Sequence, residues 1–429
     1  MFRWFFIVTL LFALLTDCAP AVAPAVETVQ EPVSAPAEAS APDTESETEV
    51  ETETGVFVPE QNLSEGCIPE GQFDPSVDYF PEKVELQYTD NFTVEYFNNY
   101  KLLTVETPWP GATESAQYVL VQCGTPAPDG FLDEQIIPVP VMSIVTMSTS
   151  YLPFLDNLGL LDRLVGLDDD SFVYNPSVLE MSAEGKLTML GYGSGVNVEQ
   201  ALDLAPDLVM TYSAGFAEYD AHPVLIQAGL KVVLNAEWMD TSPLGRAEWG
   251  KFMAVFFNKE AESNAQFDQT VQQYNDLKTL AAGADANPTV FSGTPFQGVW
   301  AMPGGESFAA AFFRDAGADY LWADDDSTGS LLLDFEAVYE RAQNADFWLN
   351  VGLFFSLDDL RDADSRFTDF AAFQNGTVWN NDARMSPGGG LDFYESAVAH
   401  PDVVLADLIK IFHPDLLPDH EPVYYRQLD

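Results

Sequence analysis

Histidine, cysteine and positive charge are all scarce in this 429-residue chain, and each shortage excludes a class of function. The four histidines, His222, His400, His413 and His420, are scattered and three adjoin proline, so no histidine-rich loop offers itself to a bare transition metal. The three cysteines, Cys18, Cys67 and Cys123, have no second ligand at zinc-site spacing. Seventeen Lys and Arg stand against 68 Asp and Glu, a net charge of −51 that would repel the phosphates of nucleic acid. No Ser-His-Asp order, glycine-rich phosphate loop or placed carboxylate pair is present, which argues against an enzyme. The expectation is a chain with no intrinsic cofactor, no catalytic residues and no protein-held metal.

What is present begins with an export leader. Arg3 precedes the apolar run Phe5 to Leu15, too short for a hydrocarbon core of about 30 Å. Leu15-Thr16-Asp17-Cys18 then resembles a lipobox, in which Cys18 is lipidated and becomes the mature N-terminus. Ordinary cleavage within the following Ala/Pro stretch stays open as the alternative, since Asp17 stands where a small residue is usual. Residues 19–55 carry nine acidic side chains and no Lys or Arg, a composition that stays extended by self-repulsion. The segment reads as a tether between a lipid anchor and a folded body outside the cytoplasm. With Cys18 assigned to lipid, Cys67 and Cys123 are free to pair in an oxidising compartment, and closing that loop would contribute about 4 kcal/mol. The acidity extends well beyond the tether and reads as a solubility adaptation.

Residues 56–138 read as a small extended module, with strand candidates at Phe92 to Tyr96 and Gln117 to Gln122. From Val139 strands alternate with helices. Val141 to Thr146, Leu164 to Leu167, Asp207 to Tyr212 and Lys231 to Leu234 are strands separated by helical patterns, the signature of a parallel sheet. Ser242-Pro243 starts a helix, and a second helix of about twenty residues, roughly 30 Å long, ends at Ala282-Gly283. Further strands at Thr289 to Phe291, Phe347 to Val351 and Val378 to Asn380 then alternate with helices again.

A weak internal repeat relates the two halves. Glu199 to Met210 parallels Glu336 to Leu349: a glutamate at a helix start, an apolar face, a short loop ending in Asp207 or Asp346, and a strand. The fold class is therefore α/β, two lobes of mainly parallel sheet joined by a long helix, plus a small mostly β N-terminal extension. The boundaries read as leader 1–18, tether 19–55, extension 56–138, first lobe 139–242, helical connection 243–283 and second lobe 284–429.

Several segments in this order are similar to those of the periplasmic binding proteins for iron–siderophore complexes, cobalamin and haem. They are Asn197-Val198-Glu199 with Leu204 to Val209, Pro243 to Trp249, Trp300 to Gly305, Asp315 to Ala318, and His413-Pro414 through Arg426. The resemblance covers about Pro138 to Leu428. It implies two rigid lobes on a stiff hinge, with ligand in the cleft and delivery to an ABC permease. It also implies that Glu199 and Glu336 meet arginines on that permease, a contact that sets register and on-rate.

Ligands of open α/β sheets lie beyond the carboxyl ends of the strands. That rule selects Ser148, Tyr151, Tyr192, Tyr212 and Trp238 in the first lobe, and Phe296, Trp300 and Arg384 in the second, with Pro303-Gly304-Gly305 allowing close backbone approach. Aromatic faces suit a bulky chelate or macrocycle, and Arg384 suits an anionic one. The expected function is capture of a metal chelate, foremost a ferric siderophore and after it cobalamin or haem, by a lipid-anchored monomer. A clamp-like surface sensor without a transporter is the competing reading.

Overall fold

The structure, a computed structural model, describes residues 55–429. The leader, Cys18 and the tether up to Thr54 lie outside the described residues. The extension forms a four-stranded sheet of β1 (Phe92–Tyr96), β2 (Tyr100–Val105), β3 (Ala116–Gln122) and β4 (Ile136–Val139), in that order. The first three strands are antiparallel, and β4 joins β3 in parallel. An irregular strap precedes the sheet, and a disulfide from Cys67 to Cys123 fastens it to the end of β3.

The first lobe runs β5 (Ile144–Thr146), α1 (Leu152–Asn157), β6 (Leu164–Leu167), α2 (Pro176–Ala183), β7 (Thr188–Met189), α3 (Val198–Leu204), β8 (Leu208–Thr211), α4 (His222–Gln227) and β9 (Val232–Leu234). Its sheet is wholly parallel, in the order β7-β6-β5-β8-β9. Both faces are covered, so its central strands read as unbroken apolar runs. Alternation sorts the residues of those strands: Ile144, Leu208, Met210 and Val233 face one core, and Val145, Val209 and Val232 the other.

Two helices follow, α5 (Pro243–Ala254) and α6 (Glu260–Ala281). The second lobe contains β10 (Thr289–Ser292), β11 (Pro295–Phe296), β12 (Val299–Pro303), α7 (Phe308–Asp315), β13 (Asp319–Tyr320), β14 (Ser330–Leu333), α8 (Phe335–Ala342), β15 (Phe347–Leu349), α9 (Leu357–Ala363), α10 (Ala371–Gln374), β16 (Val378–Asn380), α11 (Pro401–Phe412) and β17 (Arg426–Gln427). Its main sheet, β13-β10-β15-β16-β17, is parallel except for the edge strand β17, and β11-β12-β14 form a separate antiparallel sheet.

The internal repeat has a physical form. Asp207 Oδ2 accepts the Met142 and Ser143 N–H groups at 2.9 and 3.0 Å, and the Asp207 N–H donates to Ser143 Oγ at 2.9 Å. Asp346 Oδ2 accepts the N–H and hydroxyl of Thr289 at 2.8 and 2.7 Å, and the Asp346 N–H donates to Thr289 Oγ1 at 3.0 Å. In each lobe, one aspartate locks the loop after a helix to the start of the first strand. The helices themselves begin on side-chain caps, Asn197 accepting from Gln200 N–H and Asp334 from Ala337 N–H.

The helical connection belongs to both lobes. Trp249 and Phe252 of α5 and Phe256 just after it lie in the first core with Phe92 and Leu103 of the extension, whereas Leu244 of α5 and Tyr274 of α6 lie in the second. The extension thus shares a continuous core with the first lobe. Two buried ion pairs fix it there. The Lys101 ammonium donates to Val255 O and Asn258 Oδ1 at 2.7 Å each and to the Glu260 carboxylate, filling its three donors. Glu260 also accepts from Asn62 of the strap at 2.8 Å. Glu248 accepts the N–H groups of Gln87, Tyr88 and Thr89 at 2.7–2.9 Å, and the Lys251 ammonium at 2.9 Å.

The lobes also touch directly. The loop after β16 lies so close to the loop after β6 that a Cβ at Gly388 or Gly390 would fall 1.9 Å from the carbonyl oxygen of Ser171 or Phe172. Beside it, the buried Glu395 carboxylate accepts the N–H groups of Tyr174 and Asn175 at 2.7 and 2.8 Å.

Two outcomes follow for stability. Lys101→Met leaves Glu260 buried without its cation, and chemical unfolding should show a loss of about 3–5 kcal/mol. Lys101→Met with Glu260→Leu should recover much of that loss, and a double variant no more stable than the single one would contradict the pairing. Burial pushes the Glu395 carboxyl up to about 7, against the opposing effect of its two N–H partners. A group raised in the folded state binds more protons there than in the unfolded chain, so its contribution is complete below the ordinary carboxyl value near 4.5 and is lost as pH rises through about 7. The stability difference between the parent and Glu395→Gln should therefore move against the parent between pH 5 and pH 8. Parallel profiles would show that burial does not govern this carboxyl.

Candidate functional site

The Gly388–Gly390 contact establishes how the lobes stand: loops leaving the carboxyl ends of β6 and β16 meet, so these edges of the two sheets face each other. In the first sheet the chain reverses direction between β5 and β8, and in the second between β10 and β15. Such switch points open a crevice beyond the strand ends. Ser148 and Tyr212 follow the strands flanking the first, and Thr294 and Asn350 those flanking the second.

On the first lobe, Ser148 is half-buried and caps the turn leading into α1, its hydroxyl 2.8 Å from that of Ser150. Tyr212 is half-buried beside Asp168, whose carboxyl is pushed up to about 6 chiefly by burial. Tyr192 is exposed and hydrogen-bonds the neighbouring Asp169. Trp238 is exposed on the loop after β9 and lines an interlobe pocket of about 470 Å³ with Pro110, Pro303 and Phe308. Tyr151 is a correction: its ring is fully buried and its hydroxyl donates to Asn235 O at 3.0 Å, so it supports the site from inside the core. It follows a cap rather than a strand, and the short turn before α1 carries it inward.

On the second lobe, Phe296 stands at a hairpin tip with 77% of its surface exposed. Trp300 is the second correction. Along β12 exposure alternates, Val299 and Ala301 out and Trp300 and Met302 in. The Trp300 indole therefore packs against Phe291, Trp348 and Phe370 and donates to Ser292 O at 2.9 Å. Gly304 and Gly305 likewise admit the chain's own backbone, the carbonyls of Ser327 and Asp325, rather than a ligand. Arg384 stacks on Tyr174, donates to its hydroxyl at 3.1 Å, and lies 3.0 Å from the Asp392 carboxylate. It brings no net positive charge to the cleft, contrary to the expectation of an anion partner.

The loops beyond the strand ends carry further exposed apolar side chains that sequence reasoning missed. Phe172 follows β6, Phe216 and Tyr219 follow β8, and Leu353 and Phe355 follow β15. Phe216 and Leu353 are 66% and 81% exposed. The available signal was their setting among small or polar residues, Ser213-Ala214-Gly215-Phe216 and Gly352-Leu353, where no strand or helix period assigns them a buried face.

Glu199 and Glu336 occupy equivalent places, the first turns of α3 and α8, and both are exposed. Glu336 lies 3.2 Å from Arg366. Each helix runs back toward the amino end of the strand that follows it, which sets its first turn on the carboxyl side, near the cleft. Among the described residues, no group of three or more His, Cys, Asp and Glu is arranged to hold a metal ion. His420 bonds Asp407 at 2.7 Å, His413 approaches Gly317 O at 3.1 Å, and His222 stacks on Trp109. No described helix is long and apolar enough to cross a membrane.

Comparison with known proteins bears on this geometry. A sequence model of the periplasmic binding protein family matches residues 144–384. An uncharacterized lipoprotein of Methanocaldococcus jannaschii is 25% identical over 293 residues, covering 66% of this chain and 67% of the relative. A second from the same organism is 26% identical over 321 residues, covering 72% and 79%. A periplasmic binding protein of Veillonella parvula has a similar fold, with a TM-score of 0.51 at 13% identity, over 73% of this chain and 98% of that one. The family match spans more than half of the sequence and includes both strand-end edges of the cleft: the chain belongs to the periplasmic binding protein family, whose members bind solutes rather than transform them.

Proposed function

We propose that this protein captures a metal chelate of the ferric-siderophore type between its lobes and delivers it to an ABC permease while tethered by lipid at Cys18. The observation that carries the reading is the set of large apolar side chains exposed on loops beyond the facing strand ends: Tyr192, Phe216, Trp238, Leu353 and Phe355. Large apolar side chains gathered on one side of a protein and left exposed mark a ligand or partner surface. A bulky chelate with apolar walls matches the rings, and the polar edges of Tyr and Trp orient it. The helical connection shares both cores, so closure involves small adjustments of the lobes rather than a wide swing. The lipoprotein relatives support the anchor, and the equivalent positions of Glu199 and Glu336 support their role as docking points.

Protein purified from its own host should carry the visible charge-transfer band of a ferric chelate, and a haem or corrinoid spectrum would overturn the siderophore assignment. Trp238→Ala and Tyr192→Ala should each weaken chelate binding about tenfold by titration of intrinsic fluorescence. Glu199→Arg combined with Glu336→Arg should cut cellular uptake about tenfold or more with Kd unchanged. Unaltered uptake would remove the docking assignment.

A further inference from the structure

Resting on that reading of the cleft, we infer that its ligand carries positive charge or a surplus of hydrogen-bond donors, and that anionic chelates are excluded. Three arginines lie on or near loops at the strand ends, and each is already paired. Arg384 has Asp392, Arg426 has Asp382 at 2.7 Å, and Arg246 has Glu237 at 2.7 Å. Each of those carboxylates is 2% exposed or less, so a ligand cannot draw the cation away without leaving a bare buried charge.

The opposite sign is left uncompensated. Asp168, Asp169 and Asp220 follow β6 and β8, and their partners are neutral: backbone N–H groups and the hydroxyls of Tyr192 and Ser213. No described Lys or Arg forms an ion pair with any of them.

The second lobe repeats the bias with buried atoms. Directly at the end of β16, Asn380 Oδ1 and Asp382 Oδ1 have no hydrogen-bond donor. The Asn380 amide nitrogen is committed to Gly352 O at 2.8 Å, which fixes the orientation of that side chain. Against these two acceptors stands one unmatched donor at the same edge, Asn381 Nδ2. Buried acceptors without donors are costly and call for a donor from outside the chain. At both sets of strand ends, acceptors and carboxylates therefore outnumber the donors and cations available to them.

The test compares two ferric chelates by quenching of intrinsic fluorescence in the full folded chain: a trihydroxamate bearing a free ammonium group, net +1, and a tris-catecholate, net −3. The cationic chelate should bind at least about tenfold more tightly. Asp168→Asn and, separately, Asp169→Asn should narrow that ratio severalfold, while Asp268→Asn, on the exposed side of α6, should leave it unchanged. A tris-catecholate that binds as tightly as the trihydroxamate overturns the inference and leaves chelate capture standing. A ratio that Asp268→Asn alters as much as Asp168→Asn also overturns it, because the overall field and not the cleft would then discriminate. Binding of neither chelate would remove the chelate reading itself, and the inference with it.

Discussion

A lysine and a glutamate with no surface open to solvent decide how the rest of this molecule is held. Lys101 comes from the middle strand of the N-terminal sheet and Glu260 from the first turn of the helix that crosses between lobes. Taking both charges out of water costs several kcal/mol apiece, so the pair survives only because every donor of the ammonium is met. Those partners, Val255, Asn258 and Glu260, span the join between α5 and α6. The angle between the two helices, and with it the separation of the lobes, is tied to the N-terminal sheet, which shares its core with the first lobe. The Lys251–Glu248 pair repeats the device one turn earlier and grips the strap through three backbone N–H groups. A hinge anchored in this way favours small closing motions, which suits a large rigid ligand more than a small one.

The cleft follows from building the same unit twice. In both lobes a helix packs antiparallel to the next strand, and an aspartate brackets the turn between them to the first strand. That arrangement gives each sheet one edge where all the loops leave. Setting the edges face to face needs close backbone contact, which the glycines at 388 and 390 permit and any side chain would block. The acidic Glu395, on the second lobe, then ties down the segment at Tyr174 and Asn175 on the first. Loops, not sheets, thus line the site, and the sheets fix only where the loops begin.

What could be read from the residues was whatever depends on neighbours in sequence. The helix start at Ser242-Pro243, the unbroken strand at Leu208 and the Asp207/Asp346 correspondence are all local, and they suffice for two α/β lobes and a long helix. Trp300 shows the limit. It does lie just beyond the first strand of its lobe, but whether it points to ligand or core depends on the register of β12 against β14, a pairing across some thirty residues. Tyr151 fails for the same reason, since its direction is set by a carbonyl at Asn235. Lys101 gave no hint of burial, because its partner lies 159 positions away. The apolar rim residues Phe216 and Leu353 were missed for the opposite reason: their one local signal, a setting among small or polar neighbours, marks a loop but not a ligand.

The acidity of the chain and the character of its cleft are separate matters of range. At physiological ionic strength fields decay over about 8 Å, so most of the surface carboxylates act on a ligand in the cleft only through a screened average. Carboxylates beside the strand ends act at contact distance and in a medium less polar than water, where the same charge counts for several times more. The raised Asp168 carboxyl, near 6, reports such a setting: burial disfavours its charge and no cation offsets the penalty. A ligand that brings a positive group next to it relieves that penalty and lowers the carboxyl toward its ordinary value, whereas an anionic ligand adds to it. Solubility sets the sign of the surface as a whole, but these few partly buried groups set what the cleft will hold.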